Sequence, residues 1–261
     1  IETIYPDATP DDADNPRTRS EYDAAGQLIA SIDERGGRTS YRYDLAGRQI
    51  EVRNALNEVT RTEYDAAGQR TQVTDALGRV TRFEYDLAGR LIATIHPDDT
   101  PDPADNPRTQ LRYDAAGRKI AEIDEMGRTT RYAYDRLSRL VAVVLPNPAT
   151  GANPELVDGQ SPAGAGTLTT RYQYDEQGNK IAQIDAEGRA TRWTYDRQGR
   201  PLSRTLPLGQ RESFVYDALG QRTGHTAFNG ETIATSYDTL GRPLQVSLPG
   251  KTRQYGYTAS G

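Results

Sequence analysis

Polar and apolar side chains alternate along short stretches of this chain. In "RVTRFEYD" (79–86) and "RATRWTYD" (189–196), Thr81, Phe83 and Tyr85, like Thr191, Trp193 and Tyr195, fall on one parity while Arg82, Glu84 and Arg192 fall on the other. A period of two puts these sets on opposite faces of a strand, one aromatic and one charged. The pattern predicts a strand that ends at each Tyr-Asp pair. A second stretch follows the next Gly, as in "GQLIASID", "GRKIAEID" and "GNKIAQID". It opens on an Ile or Leu at Ile29, Ile50, Ile92, Ile120, Ile181, Leu202 and Leu244, often followed by a small residue such as Ala30, Ala93 or Ala182. Its weaker alternation predicts a strand with material packed on part of both faces. It is too short, and too tightly bounded by turn residues, for a helix.

The strands come in a fixed cycle. Tyr-Asp pairs begin at Tyr22, Tyr43, Tyr64, Tyr85, Tyr113, Tyr134, Tyr174, Tyr195, Tyr216 and Tyr237, and seven of the nine intervals are 21 residues. The Asp partners are Asp23, Asp44, Asp65, Asp86, Asp114, Asp135, Asp175, Asp196, Asp217 and Asp238. Three residues after the Asp stands Gly26, Gly47, Gly68, Gly89, Gly117, Gly178, Gly199, Gly220 or Gly241. A second turn, Asp-x-x-Gly, separates the strands at "DERG" (33–36), "DALG" (75–78), "DEMG" (124–127) and "DAEG" (185–188). An Asp carboxylate accepts backbone N–H groups two or more residues on, and Gly takes the left-handed conformation that closes such turns. Strand, turn, strand, turn makes a two-stranded hairpin unit. Ten units imply about 20 strands, too many for an open twisted sheet to stay flat. The expectation is an all-β fold, residues 1–261 forming one array of tandem hairpins as a long antiparallel ribbon that curls into a spiral or shell wall. A membrane barrel needs an apolar outer face, which the Arg and Glu rows deny.

Composition narrows this picture. Hydrophobic residues make up 35% of the 261 residues, charged ones 26%, and Gly and Pro number 24 and 15. That suits many short elements and turns better than one thick core. Cys is absent, which removes disulfides and thiolate chemistry. The charge is −5 with both signs interleaved, so nucleic acid is not an expected partner. No stretch is long and apolar enough for a membrane helix, and no signal peptide is visible. The chain opens and closes inside repeat units and reads as a piece of a longer protein.

Three insertions, near 5–17, 96–108 and 146–167, fall at the Asp-x-x-Gly turn and should project from one edge. Asp7, Asp11, Asp12 and Asp14, with Asp98, Asp99, Asp102 and Asp105, lie in two of them, but their spacing matches neither an EF-hand nor the glycine-rich calcium β-helix repeat. A Pro-stiffened solvent loop is the expectation, and no metal or cofactor is assigned. His96 and His225 stand on different units, and His96 takes the slot of a turn Asp. Ten equivalent carboxylates cannot supply the two different environments that acid–base catalysis needs. No catalytic residue is assigned, and an enzyme is not expected.

The motif Tyr-Asp-x-x-Gly-Arg-(Leu/Ile)…Asp-x-x-Gly-Arg-x-Thr…Tyr-Asp resembles the YD repeats of the Rhs family. That family takes in bacterial Rhs polymorphic toxins, wall-associated proteins, Tc toxin shell components and teneurins. The resemblance covers nearly the whole chain. It implies a secreted or cell-surface β-shell whose partners are the remaining repeats and a C-terminal effector domain of the same parent chain. The Asp-Pro-x-Gly-Leu type core motif of the toxin members is missing; Asp102-Pro103 continues as "ADN" inside a loop. Autoproteolysis and toxicity therefore do not carry over. Two function classes stay open. One is a non-catalytic wall segment. The other is a cell-surface module in which Tyr41, Phe83, Tyr132, Tyr172, Trp193 and Phe214 face a glycan or protein ligand. Raw strand edges also lead to an expectation of edge-to-edge self-association.

Overall fold

The computed structural model describes residues 1–5, 16–98, 100, 102, 104–152 and 168–258. Among them are 22 β-strands, from Glu2–Ile4 to Lys251–Gln254, and no helix. The chain packs as two compact units. One comprises Ile1–Tyr113 with Glu122–Gly127, and the other Asp114–Ala121 with Arg128–Gly261. Within each, successive strands pair antiparallel in chain order, as a meander.

The repeat is the hairpin its pattern predicts. Arg38–Tyr43 leads, Gln49–Arg53 follows, and Val59–Tyr64 leads again. Nine leading strands meet their followers with a β-bulge just before the Tyr. Arg42 lies opposite Glu51 and Tyr43 opposite Gln49, which leaves Ile50 as the extra residue. Ile29, Ile92 and Leu202 are extra in the same way. This is why alternation fades at the start of the following strand. One more residue per hairpin breaks the period of two and strengthens the local right-handed twist.

Register sorts the two faces. Tyr41 pairs with Val52 and Val52 with Thr60; Phe83 pairs with Thr94 and Thr94 with Thr109. Aromatic, β-branched residue and Thr thus repeat as cross-strand triplets, a combination that packs well on a pleated surface. The other face joins Arg42, Glu51 and Arg61, and then Glu63, Gln72 and Arg82. The deepest burial lies on this charged face. Ala30 and Val144 are fully covered, with Ala93, Ala142, Ala182 and Ser203 nearly so. Ala30 pairs with Glu21 and Ser40, and Ala182 with Gln173 and Arg192.

Candidate functional site

The recurring site is the Tyr-Asp-x-x-Gly-Arg hairpin end. Its backbone closes identically from copy to copy: the Gly47 N–H donates to the Asp44 carbonyl at 3.0 Å and the Asp44 N–H to the Arg48 carbonyl at 2.9 Å. Gly47 sits at φ +78, in the left-handed region that a Cβ disfavours. Ser138 takes that position in one copy at φ 62, where Asn or Asp is the commoner replacement for Gly.

The Asp carboxylate organises this end. Oδ1 of Asp44 accepts the N–H groups of Ala46 and Arg48, each at 2.9 Å. Oδ2 accepts the Arg48 Nε–H at 2.7 Å. Asp86, Asp114, Asp135 and Asp238 repeat the arrangement with Arg90, Arg118, Arg139 and Arg242. The Arg48 N–H, opposed by partial burial and helped by the guanidinium, holds the Asp44 carboxyl below its ordinary value. At Asp86 the Arg90 guanidinium is the largest cause of the same shift. A general acid needs its proton held to higher pH, and these carboxyls are tuned the other way. Asp75 and Asp185 carry the same cage at the second turn, with Arg79 and Arg189. Leu206 and Ala227 replace Asp there, and those turns keep their backbone bonds.

The Arg and the Tyr reach beyond their own hairpin. The Arg48 guanidinium lies over the Tyr64 ring of the next repeat, 4.8 Å from its centroid, and Nη1 donates to the Asp65 carbonyl at 3.0 Å. Arg118 does the same to Tyr134 and Asp135, and Arg139 to Tyr174 and Asp175. Among the described residues, eight of the motif's Tyr hydroxyls then donate backwards. Tyr43 reaches the Leu28 carbonyl at 2.8 Å, Tyr64 that of Gln49, Tyr85 that of Arg70, and Tyr195 that of Lys180. The bond survives the insertions: Tyr113 reaches Leu91, and Tyr174 reaches Leu140 across 34 residues. Burial pushes the Tyr174 and Tyr195 hydroxyls above their ordinary value. Asp positions Arg, Arg caps the next Tyr, and that Tyr bonds back to the strand before. The result is a staple from repeat to repeat. The part played by Arg is absent from the sequence reading, although its recurrence at Arg48, Arg90, Arg118, Arg139, Arg200 and Arg242 was the available signal.

The six aromatic candidates are half-buried on the aromatic face. Cations cover a ring face of five. Arg70 lies over Phe83, Lys119 over Tyr132, Lys180 over Tyr172 and Trp193, and Arg222 over Phe214. The Tyr41 hydroxyl bonds Ser31 at 3.1 Å. Such rings have less surface to stack on a sugar. His225 stacks on Phe214 with centroids 4.9 Å apart, and His96 closes its loop through an N–H bond to the Pro107 carbonyl. Of the insertion acids, Asp7, Asp11, Asp12, Asp14 and Asp99 lie outside the described residues. Asp98 accepts the Thr100 backbone N–H and Asp105 the Thr100 hydroxyl. Among the described residues no three His, Cys, Asp or Glu gather closely enough to hold a metal ion.

Comparison with known proteins gives this geometry a family. The RHS Repeat model matches residues 22–59 and 64–101, and the Teneurin YD-shell model matches 105–261. The chain belongs to the YD-shell family. Solved structures similar to this YD-shell chain include a TcdB2-TccC3-Cdc42 complex, at 21% identity and TM-score 0.67, covering 95% of this chain and 14% of that one. TcdB2-TccC3 without its hypervariable C-terminal region matches at 22% identity and TM-score 0.67, with the same coverage. The Photorhabdus luminescens Tc holotoxin pore matches at 22% identity and TM-score 0.65, over 92% of this chain and 12% of that one. The YD-shell chain therefore spans about a seventh of the first two. No curated protein matches it. No helix among its described residues is long and apolar enough to cross a membrane.

Proposed function

We propose that this chain is a non-catalytic wall segment of a YD-repeat shell whose parent polypeptide encloses or presents a C-terminal effector domain. Residues 1–261 act as one array of hairpins, curled with further repeats of the parent into a wall, in a secreted or cell-surface setting. The observation that carries the reading is the staple. The recurring Asp, Arg and Tyr of the repeat are engaged in joining one hairpin to the next, as at Asp44, Arg48 and Tyr64. A wall needs that continuity along its length, because one two-stranded hairpin is marginal by itself. Solved relatives built from TcdB2 and TccC3 support the same reading at the level of fold.

Limited proteolysis of the parent polypeptide tests it. The segment downstream of the repeats should resist protease in the intact protein. It should become cleavable when two staples are removed together by Tyr64→Leu and Tyr134→Leu. Equal cleavage with and without those substitutions would overturn the enclosing role.

A further inference from the structure

The charged face of the first unit holds an arrangement that the wall does not require. Glu51 lies among three guanidinium groups, with Arg61 Nε at 3.3 Å, Arg53 Nη2 at 3.6 Å and Arg42 Nη1 at 3.7 Å. Glu21 lies between Arg38 at 2.8 Å and Arg19 at 3.4 Å. The two clusters adjoin, since Ala30 pairs with Glu21 and Ser40, and Ser40 with Arg53. Five arginines against two glutamates leave three positive charges in excess, on a chain whose net charge is −5. Counting neighbouring Glu63, which accepts from Gln72, two remain.

The vertical order of these charges matters. The Glu51 side chain is 11% exposed and Glu21 26%, whereas Arg42 is 70%, Arg19 62% and Arg61 59% exposed. Carboxylates lie beneath and guanidinium groups outermost. A guanidinium carries five N–H donors, so two carboxylates cannot saturate five of them. The floor between the arginines is low, formed by fully buried Ala30 and by Ser40. A cleft of about 470 Å³ opens there, lined by Arg42, Arg48 and Arg61 together with Asp44, Glu51 and Glu63.

We propose that this surface docks an acidic polypeptide segment. Glu51 and Glu21 already show how a carboxylate sits among these arginines, and fork-shaped guanidinium groups suit carboxylates well. The aromatic triplets lie on the opposite face. The ring that lines the cleft, Tyr64, is capped by Arg48, which leaves bases of a single-stranded nucleic acid little ring face to stack on. The proposal stands on charge geometry and does not depend on the enclosing role.

Calorimetric titration of the full chain with a decaglutamate peptide at low ionic strength tests it. Binding should saturate, weaken steeply with added salt, and fall about tenfold or more in the Arg42→Gln/Arg53→Gln/Arg61→Gln variant. Glu51→Gln removes the internal competitor and should tighten binding, about threefold, which a purely structural ion-pair network would not do. Arg42→Gln alone, at an exposed position, keeps the fold and should weaken binding about twofold to threefold. Absence of binding, or equal affinity in the triple variant with an unchanged melting curve, overturns the site. Tighter binding of a heparin oligosaccharide or single-stranded DNA than of the peptide overturns the polypeptide assignment.

Discussion

Gly47 and Leu45 are two residues apart in one turn and do opposite things. Leu45 stands wholly in solvent, like Leu87 in the corresponding turn. Gly47 holds a positive φ with no room to change it, because its N–H is tied to Asp44. A β-branched side chain in the left-handed region costs about 1–2 kcal/mol or more. Gly47→Val should therefore destabilise the chain by at least that amount, while Leu45→Ala stays within about 0.5 kcal/mol of the parent. Urea denaturation of both variants checks the ranking, and the reverse order would refute the turn. Position 69 offers a gain in place of a loss. Gln69 holds the place that Arg48 and Arg90 hold in neighbouring repeats, and its amide bonds the Gly89 carbonyl. Gln69→Arg should add a ring cap over Tyr85 and raise stability by about 0.5 kcal/mol, the scale of an exposed cation–π contact.

The hairpin is where reading the sequence succeeded and where it stopped. Strand, turn and period are local: alternation in "RVTRFEYD" and the Asp and Gly of each turn signal themselves within a few residues. The staple is not local. Tyr64 bonds a carbonyl 15 residues earlier, and Arg48 caps a ring in the next repeat, so neither residue reveals its partner by spacing within one strand. The bulge at Ile50 was visible only as a blurred alternation. Ala30 and Ala182 look merely small, and only the register shows that Glu21 and Arg192 stand opposite them. The aromatics were legible as a face. The cations lying on them, such as Lys180 on Trp193, come from neighbouring strands and were not.

Across the whole molecule the caged carboxylates act together. Asp44, Asp75, Asp86, Asp114, Asp135, Asp175, Asp185, Asp196 and Asp238 all have carboxyls held below the ordinary value. A carboxyl that binds its proton less readily when folded stabilises the fold above its unfolded pKa of about 3.9. That stabilisation is lost as pH falls through the lower folded value. Stability should thus be nearly flat from neutral pH to about pH 5 and fall steeply below about pH 4, with many small increments adding along the repeats. Denaturation midpoints across that range test this, and a chain most stable near pH 3 would contradict it.

The central claim is that Tyr-Asp-x-x-Gly-Arg fastens one hairpin to the next. A double-mutant cycle on Arg48→Gln and Tyr64→Leu, followed by equilibrium urea unfolding, measures that fastening apart from the effect of either residue alone. The arginine lies over a ring in a different repeat, 4.8 Å from its centroid. A favourable coupling of about 0.5–1 kcal/mol between the two positions is expected. A coupling indistinguishable from zero would mean that the two repeats stand side by side without being joined.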